Sequence, residues 1–192
     1  MTDIPNLLND NISFNSSEKI NEKLPSIREF GSNDWFRTKT YRRDLPHWEL
    51  EGSTYFITFC VDRIVGKPFQ NPKLAQFAAS TICHRKDKYN LYAYVVMPDH
   101  IHFILKPTPD NTLSKILQNM KGSMAYNLNK LLNRTGKFWQ TENFDHLIRD
   151  GNGMRNKWEY IKENPVKAKL VNKAEDYPFS SFYEFHEGTN LE

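Results

Sequence analysis

Residues 91–105 read LYAYVVMPDHIHFIL, and the fold turns on how this run divides. Aromatic and β-branched residues, which suit a pleated and half-buried surface, dominate both sides of Pro98-Asp99. Proline has no N–H to give to a strand ladder, so the pair predicts a turn between two strands, residues 91–97 and 101–105, joined as a hairpin. Side chains alternate along a strand, so His100 and His102 share one face while Ile101, Phe103 and Leu105 point to the other, apolar one.

Working outward, residues 54–61 (TYFITFCV) predict a buried strand. Residues 72–88 place Leu74, Phe77, Ala78, Thr81 and Ile82 at helical spacing, with Pro72 near the start. Downstream, Leu113, Ile116, Leu117, Met120, Met124, Leu128, Leu131 and Leu132 form one apolar stripe, with Asn111 or Thr112 as N-cap and Gly136 beyond the end. Residues 138–148 (FWQTENFDHLI) predict a strand with an irregular start, and Asp150-Gly151-Asn152-Gly153 a turn. A helix then runs from about Met154 to Glu163, ended by Pro165, because the residue before a proline is pushed out of the α region. The order β-α-β-β-α-β followed by a helix predicts an α+β, ferredoxin-like antiparallel sheet with helices on its face. Residues 1–36 lack sustained periodicity and predict a flexible or peripheral arm. Residues 37–192 form the domain, opening with a basic, aromatic lead-in (residues 39–48, KTYRRDLPHW) before a sheet that starts after Gly52.

Residues 1–34 hold six acidic side chains against three basic ones, a balance of −3 that leaves +6 for the rest of a chain of net charge +3. Positive charge together with 14% aromatic residues suits nucleic acid, where cations meet phosphates and rings stack on bases; many ordinary basic domains share that mixture. No apolar run approaches the roughly 20 residues that span a bilayer, and the first residues lack a basic-then-apolar signal, so a cytoplasmic, membrane-free protein is expected. Cys60 and Cys83 read as buried free thiols, too few for a cysteine-based zinc site.

Two imidazoles on one rigid strand face can chelate a divalent metal, zinc or copper included, or simply line a half-exposed surface. On the last helix, at about 100° per residue, Met154, Trp158 and Ile161 point one way and Lys157, Tyr160 and Asn164 share a flank to the side. A tyrosine edging the core has the same wheel position as a reactive one, and the wheel does not bring Tyr160 to the histidines.

The strings YVVMPDHIHFILKP, FWQTENFDHLIRD and YIKENPVKAKLV, with the lead-in YRRDLPHWELEGSTYFITF, strongly resemble the REP-associated tyrosine transposases. These are relatives of small insertion-sequence transposases within the HUH single-strand nucleases, and the resemblance runs from about Tyr41 to Phe182. It implies that His100, His102 and Asn164 hold a divalent metal, Mg²⁺ or Mn²⁺, and that Tyr160 is the nucleophile. The expected reaction cleaves and rejoins single-stranded or hairpin DNA through a 5′-phosphotyrosine, by a monomer or homodimer. Arg42, Arg43, Lys121, Arg149 and Lys157 are candidate phosphate contacts, or else solvated charges; Tyr41, His47 and Trp48 are candidate base-stacking groups, Trp48 equally a core residue. The long acidic-leaning arm departs from the family pattern. Two other classes compete: a non-catalytic single-strand-binding module on the same fold, and a metal-dependent hydrolase using water.

Overall fold

The computed structural model describes residues 38–41, 47–84, 87–141 and 144–184, with side chains from Leu50 onward. Residues 1–36, Arg42 and Arg43 lie outside the described residues. Two short antiparallel strands, β1 (Thr38–Tyr41) and β2 (His47–Leu50), come first, so the lead-in holding Tyr41, His47 and Trp48 is itself a hairpin, and strand structure begins before Gly52. A tight turn with Gly52 at φ 72°, a conformation that favours glycine, leads onward. The Tyr55 hydroxyl donates to the Leu50 carbonyl at 3.0 Å, tying this hairpin to the main sheet.

The main sheet holds β3 (Thr54–Cys60), β4 (Tyr89–Met97), β5 (His100–Pro107) and β6 (Phe144–Ile148). Its spatial order is β4-β5-β3-β6, all antiparallel, which is the ferredoxin-like arrangement. Among the described residues three α-helices complete it: α1 (Pro72–Cys83), α2 (Leu113–Leu131) and α3 (Gly151–Lys167).

Alternation divides the strand residues between two cores. Tyr55, Ile57, Phe59, Ile101, Phe103 and Leu105 pack under α1 and α2 with Leu74, Ile82, Met120 and Leu128, where Phe59 and Phe103 meet edge to face at 5.1 Å. Phe56, Val95, Met97 and Ile104 face α3, through Met154 and Ile161. The histidines therefore lie on the α3 side of the sheet.

Local chemistry sets the helix ends. Asn71 caps α1 by accepting from the Lys73 amide at 3.0 Å, and that helix stops at Cys83, short of the expected 88; the polar residues beyond offer no apolar face to bury. Thr112 caps α2 and Asp150 caps α3, so the expected turn at 150–153 forms the first turn of a helix.

Pro165 does not end α3. It is buried, and the helix continues to Lys167. Proline forfeits one helix hydrogen bond, but this one sits in the last turn. Ala168 N–H bonds to the Asn164 carbonyl at 3.0 Å and Leu170 N–H to that of Pro165 at 2.9 Å. Lys169, at φ 57°, supplies the left-handed residue that closes the helix.

The expected strand over 138–148 is shorter, covering only Phe144–Ile148. Phe138 and Trp139 are buried but held by isolated bonds, Asp62 N–H to the Phe138 carbonyl and Gln140 N–H to that of Cys60. Beyond α3 the chain crosses β4. Val96 N–H bonds to the Phe179 carbonyl at 2.8 Å and Ser181 N–H to that of Tyr94 at 3.0 Å. The Ser181 hydroxyl accepts from Tyr94 N–H at 3.1 Å, and the Tyr177 hydroxyl donates to the Val96 carbonyl at 2.8 Å.

Candidate active site

His100 opens β5 and His102 follows two residues later, opposite Cys60 and Thr58 on β3. Their ring centroids are 4.7 Å apart. Nδ1 of His100 lies 2.6 Å from Oδ1 of Asp99, in the turn just before it. A carboxylate oxygen only accepts, so this nitrogen donates, and Nε2 is the His100 nitrogen turned away from Asp99.

Nδ1 of His102 lies 2.8 Å from the Thr58 hydroxyl. His102 is buried at 5% exposure, and its Nε2 is a buried side-chain nitrogen with no hydrogen-bond partner. Burying a polar atom without a partner costs roughly 1–3 kcal/mol; such an atom points to a function that compensates. Burial, the neighbouring His100 and the Lys157 ammonium together push the His102 imidazole down to about 3. The ring is neutral at physiological pH, the form in which an imidazole binds metal.

Tyr160 reaches this pair from above. Its ring centroid stands 5.2 Å from that of His102 and 5.8 Å from that of Phe56, while Phe56 stacks on His102 at 5.3 Å. Tyr160 remains 41% exposed, so one edge packs on the site and the rest faces solvent. Asn164, one turn further along α3, is half-buried. Lys157 lies with Nζ 4.7 Å over the Phe56 ring, and Lys167 with Nζ 5.9 Å over that of Tyr160. At spacings of three and four, Lys157, Tyr160, Asn164 and Lys167 form one stripe of α3. The stripe reaches Lys167 only because the helix continues through Pro165.

The structure does not bring every candidate cation here. Lys121 belongs to α2, which covers the opposite face; its Nζ donates to the Gln140 carbonyl at 3.0 Å and sits 5.3 Å over the Phe59 ring. Arg149 is exposed directly after β6; desolvation first, then the charges of Lys157 and Arg149, lower the His146 imidazole from its ordinary value. Cys60 and Cys83 form no disulfide and are half-buried, where full burial was expected.

Four residues escaped the reading of the sequence: Phe56, Thr58, Asp99 and Lys167. Asp99 had a signal, standing next to His100. Thr58 had none, because only the β3–β5 register places it opposite His102.

Two imidazoles with Nδ1 engaged and one Nε2 buried without a partner fit a divalent metal. Among the described residues, no group of three or more His, Cys, Asp or Glu gathers as a metal site; Asn164 stands one turn beyond Tyr160 on α3.

Residues 68–164 match the family described as "Transposase IS200 like", a stretch containing both histidines, Tyr160 and Asn164. A REP-associated tyrosine transposase of Escherichia coli is 28% identical over 145 residues, covering 74% of this chain and 82% of its own. A relative of that description from Haemophilus influenzae is 31% identical over 156 residues, covering 74% and 85%. A solved structure of a REP-associated tyrosine transposase bound to a REP hairpin superposes with a TM-score of 0.58 at 26% identity, over 75% of this chain and 82% of that one.

Proposed function

This chain belongs to the IS200-like transposase family, among the REP-associated tyrosine transposases, and from that premise we propose that it cleaves and rejoins single-stranded or hairpin DNA with Tyr160 as the nucleophile. The observation that carries this reading is the approach of the Tyr160 ring to within 5.2 Å of the buried His102, whose Nε2 has no partner.

A phenol near neutral pH is mostly protonated and a weak nucleophile, so it needs an activated target. His100, His102 and the Asn164 amide oxygen would hold Mg²⁺ or Mn²⁺, which when bound supplies polarisation of a phosphate oxygen and neutralises charge. Thr58 and Asp99 fix the imidazole orientations by engaging each Nδ1. Phe56 packs against both His102 and Tyr160 and holds the phenol ring beside the histidines. Lys157 and Lys167 bring positive charge to either side of the tyrosine, suited to the phosphates flanking the scissile one. Arg149, exposed after β6, is proposed to contact a backbone phosphate further along; Lys121, on the opposite face, and Arg42 and Arg43, outside the described residues, are further phosphate-contact proposals that rest on their charge.

In the cleavage step the Tyr160 Oη–phosphorus bond forms and the phosphorus–O3′ bond breaks. The phenol gives up one proton and the leaving 3′ oxygen takes one. The product is a 5′-phosphotyrosine and a free 3′-hydroxyl. Attack by a 3′-hydroxyl on that phosphorus displaces the phenol and reseals the strand without hydrolysis or ATP. Tyrosine and histidines come from one chain, so a single copy carries the whole proposed set. Among the described residues no helix is long and apolar enough to cross a membrane; the cytoplasm, where DNA is at hand, is the proposed location.

The test is denaturing electrophoresis of an end-labelled hairpin oligonucleotide with wild type and Tyr160→Phe. Wild type forms a covalent adduct; the variant binds DNA but yields neither adduct nor cut strand. A wild type that binds without any adduct is a binding module, and a variant that still cuts is a hydrolase; either result overturns the proposal.

A further inference from the structure

The outer strand β6 carries two rings that the cleavage chemistry does not use. Phe144 and His146 stand opposite Thr58 and Phe56, the two residues that bond to and stack on His102. Paired residues of an antiparallel sheet project to the same face, so both rings rise from the histidine side. Phe144 is 54% exposed, a large apolar ring facing water. The two rings are parallel, at an interplanar angle of 1°, with centroids 6.3 Å apart.

The pair joins directly onto the candidate active site. Phe144 meets Phe56 edge-on at 6.4 Å, and Phe56 touches both His102 and Tyr160. The exposed rings are thus one ring removed from the nucleophile. Cations frame them: Lys157 over Phe56 and Arg149 at the end of β6, both close enough for their charge to act on His146.

We propose that Phe144 and His146 form a stacking site for one unpaired DNA base beside the phosphate that Tyr160 attacks. This rests on the strand-transfer reading and adds a positioning subsite to it. Exposed π-faces alternating with cations are what a base and its phosphate require, whereas an apolar protein surface would find no use for Lys157 and Arg149. A base inside a duplex is already stacked on both sides and must be extruded to reach such a site. The subsite therefore favours single-stranded flanks over paired DNA.

The experiment uses the full chain and hairpin oligonucleotides with thymidine flanks, each carrying 2-aminopurine at one successive flank position. In wild type one position shows fluorescence quenched by stacking. Phe144→Ala and Phe144→Leu lose that quenching, and Phe144→Trp keeps it; the leucine variant retains apolar bulk without a π-face and so separates stacking from folding. An abasic nucleotide at that position weakens wild-type binding by roughly 5- to 150-fold, the fold-change of one base–aromatic stack, and costs Phe144→Ala nothing further. Equal quenching in wild type and Phe144→Leu at every position, or an undiminished abasic penalty in Phe144→Ala, overturns the subsite. Adduct formation is scored separately: adduct without a stacking signal sinks this proposal alone, and a stacking signal without adduct sinks the transfer reading while the base site stands.

Discussion

The Thr58 hydroxyl stands 2.8 Å from Nδ1 of His102, across the β3–β5 ladder, and leaves Nε2 of that buried ring as the nitrogen open to chemistry. Thr58→Val keeps the branched shape and removes the hydroxyl. Both ring nitrogens of His102 are then unsatisfied, and the chain loses about 1–3 kcal/mol of stability. Loss of an orienting partner also weakens Mn²⁺ binding by roughly 10- to 100-fold. Calorimetric titration with Mn²⁺ that matches wild type would show that this hydroxyl orients nothing.

His102 also couples stability to pH. Its value of about 3 lies below the ordinary 6.5, so the folded chain keeps the ring neutral where the unfolded chain takes up a proton. The contribution is complete above about 6.5 and is lost as pH falls from there toward about 3, on the order of a few kcal/mol in all. Urea unfolding in the presence of chelator, from pH 7 to 4.5, should fall more steeply for wild type than for His102→Gln. Parallel slopes would mean that another group controls acid stability.

Asn164→Leu removes an oxygen donor one turn from Tyr160 and keeps side-chain bulk. Metal affinity should drop at least tenfold, with the helix intact by circular dichroism, as expected for one missing ligand. His100→Ala and His102→Ala should lose cleavage more completely at limiting Mn²⁺. If the Asn164→Leu titration overlays wild type, that amide is merely the residue before Pro165.

Binding should weaken steeply with salt and prefer hairpin or single-stranded DNA to a plain duplex of the same sequence, given the +6 balance outside residues 1–34. Lys157→Ala should lower the slope of log affinity against log salt by roughly 1. A slope unchanged in the variant would remove Lys157 from the phosphate contacts.

The fold was legible where periodicity and burial agree. Residues 91–105 gave both strands of the hairpin and the correct face for each histidine, because side chains alternate along a strand and residues two apart must share a face. Signals failed where burial and backbone pairing part company. Phe138 and Trp139 are aromatic because they fill the core, not because they pair in a ladder. Pro165 is a helix breaker by its chemistry, yet the packing of its buried ring carries the helix on to Lys167. The two histidines and Tyr160 were legible as residues, but the 5.2 Å between His102 and Tyr160 arises from α3 crossing the sheet. Thr58 and Phe56 owe their places to strand register, which one-dimensional spacing does not contain.

The crossing of β4 by residues 177–181 sets how this molecule behaves in a crowd. Both backbone groups of Tyr94 and of Val96 are occupied by that segment, so the outer rim on this side has no open ladder positions at these residues. A chain shortened to end before Tyr177 would expose them as a template for a foreign strand, the usual start of edge-to-edge aggregation. The tail thus acts as a selvedge, stopping the sheet from being extended there by another copy of itself.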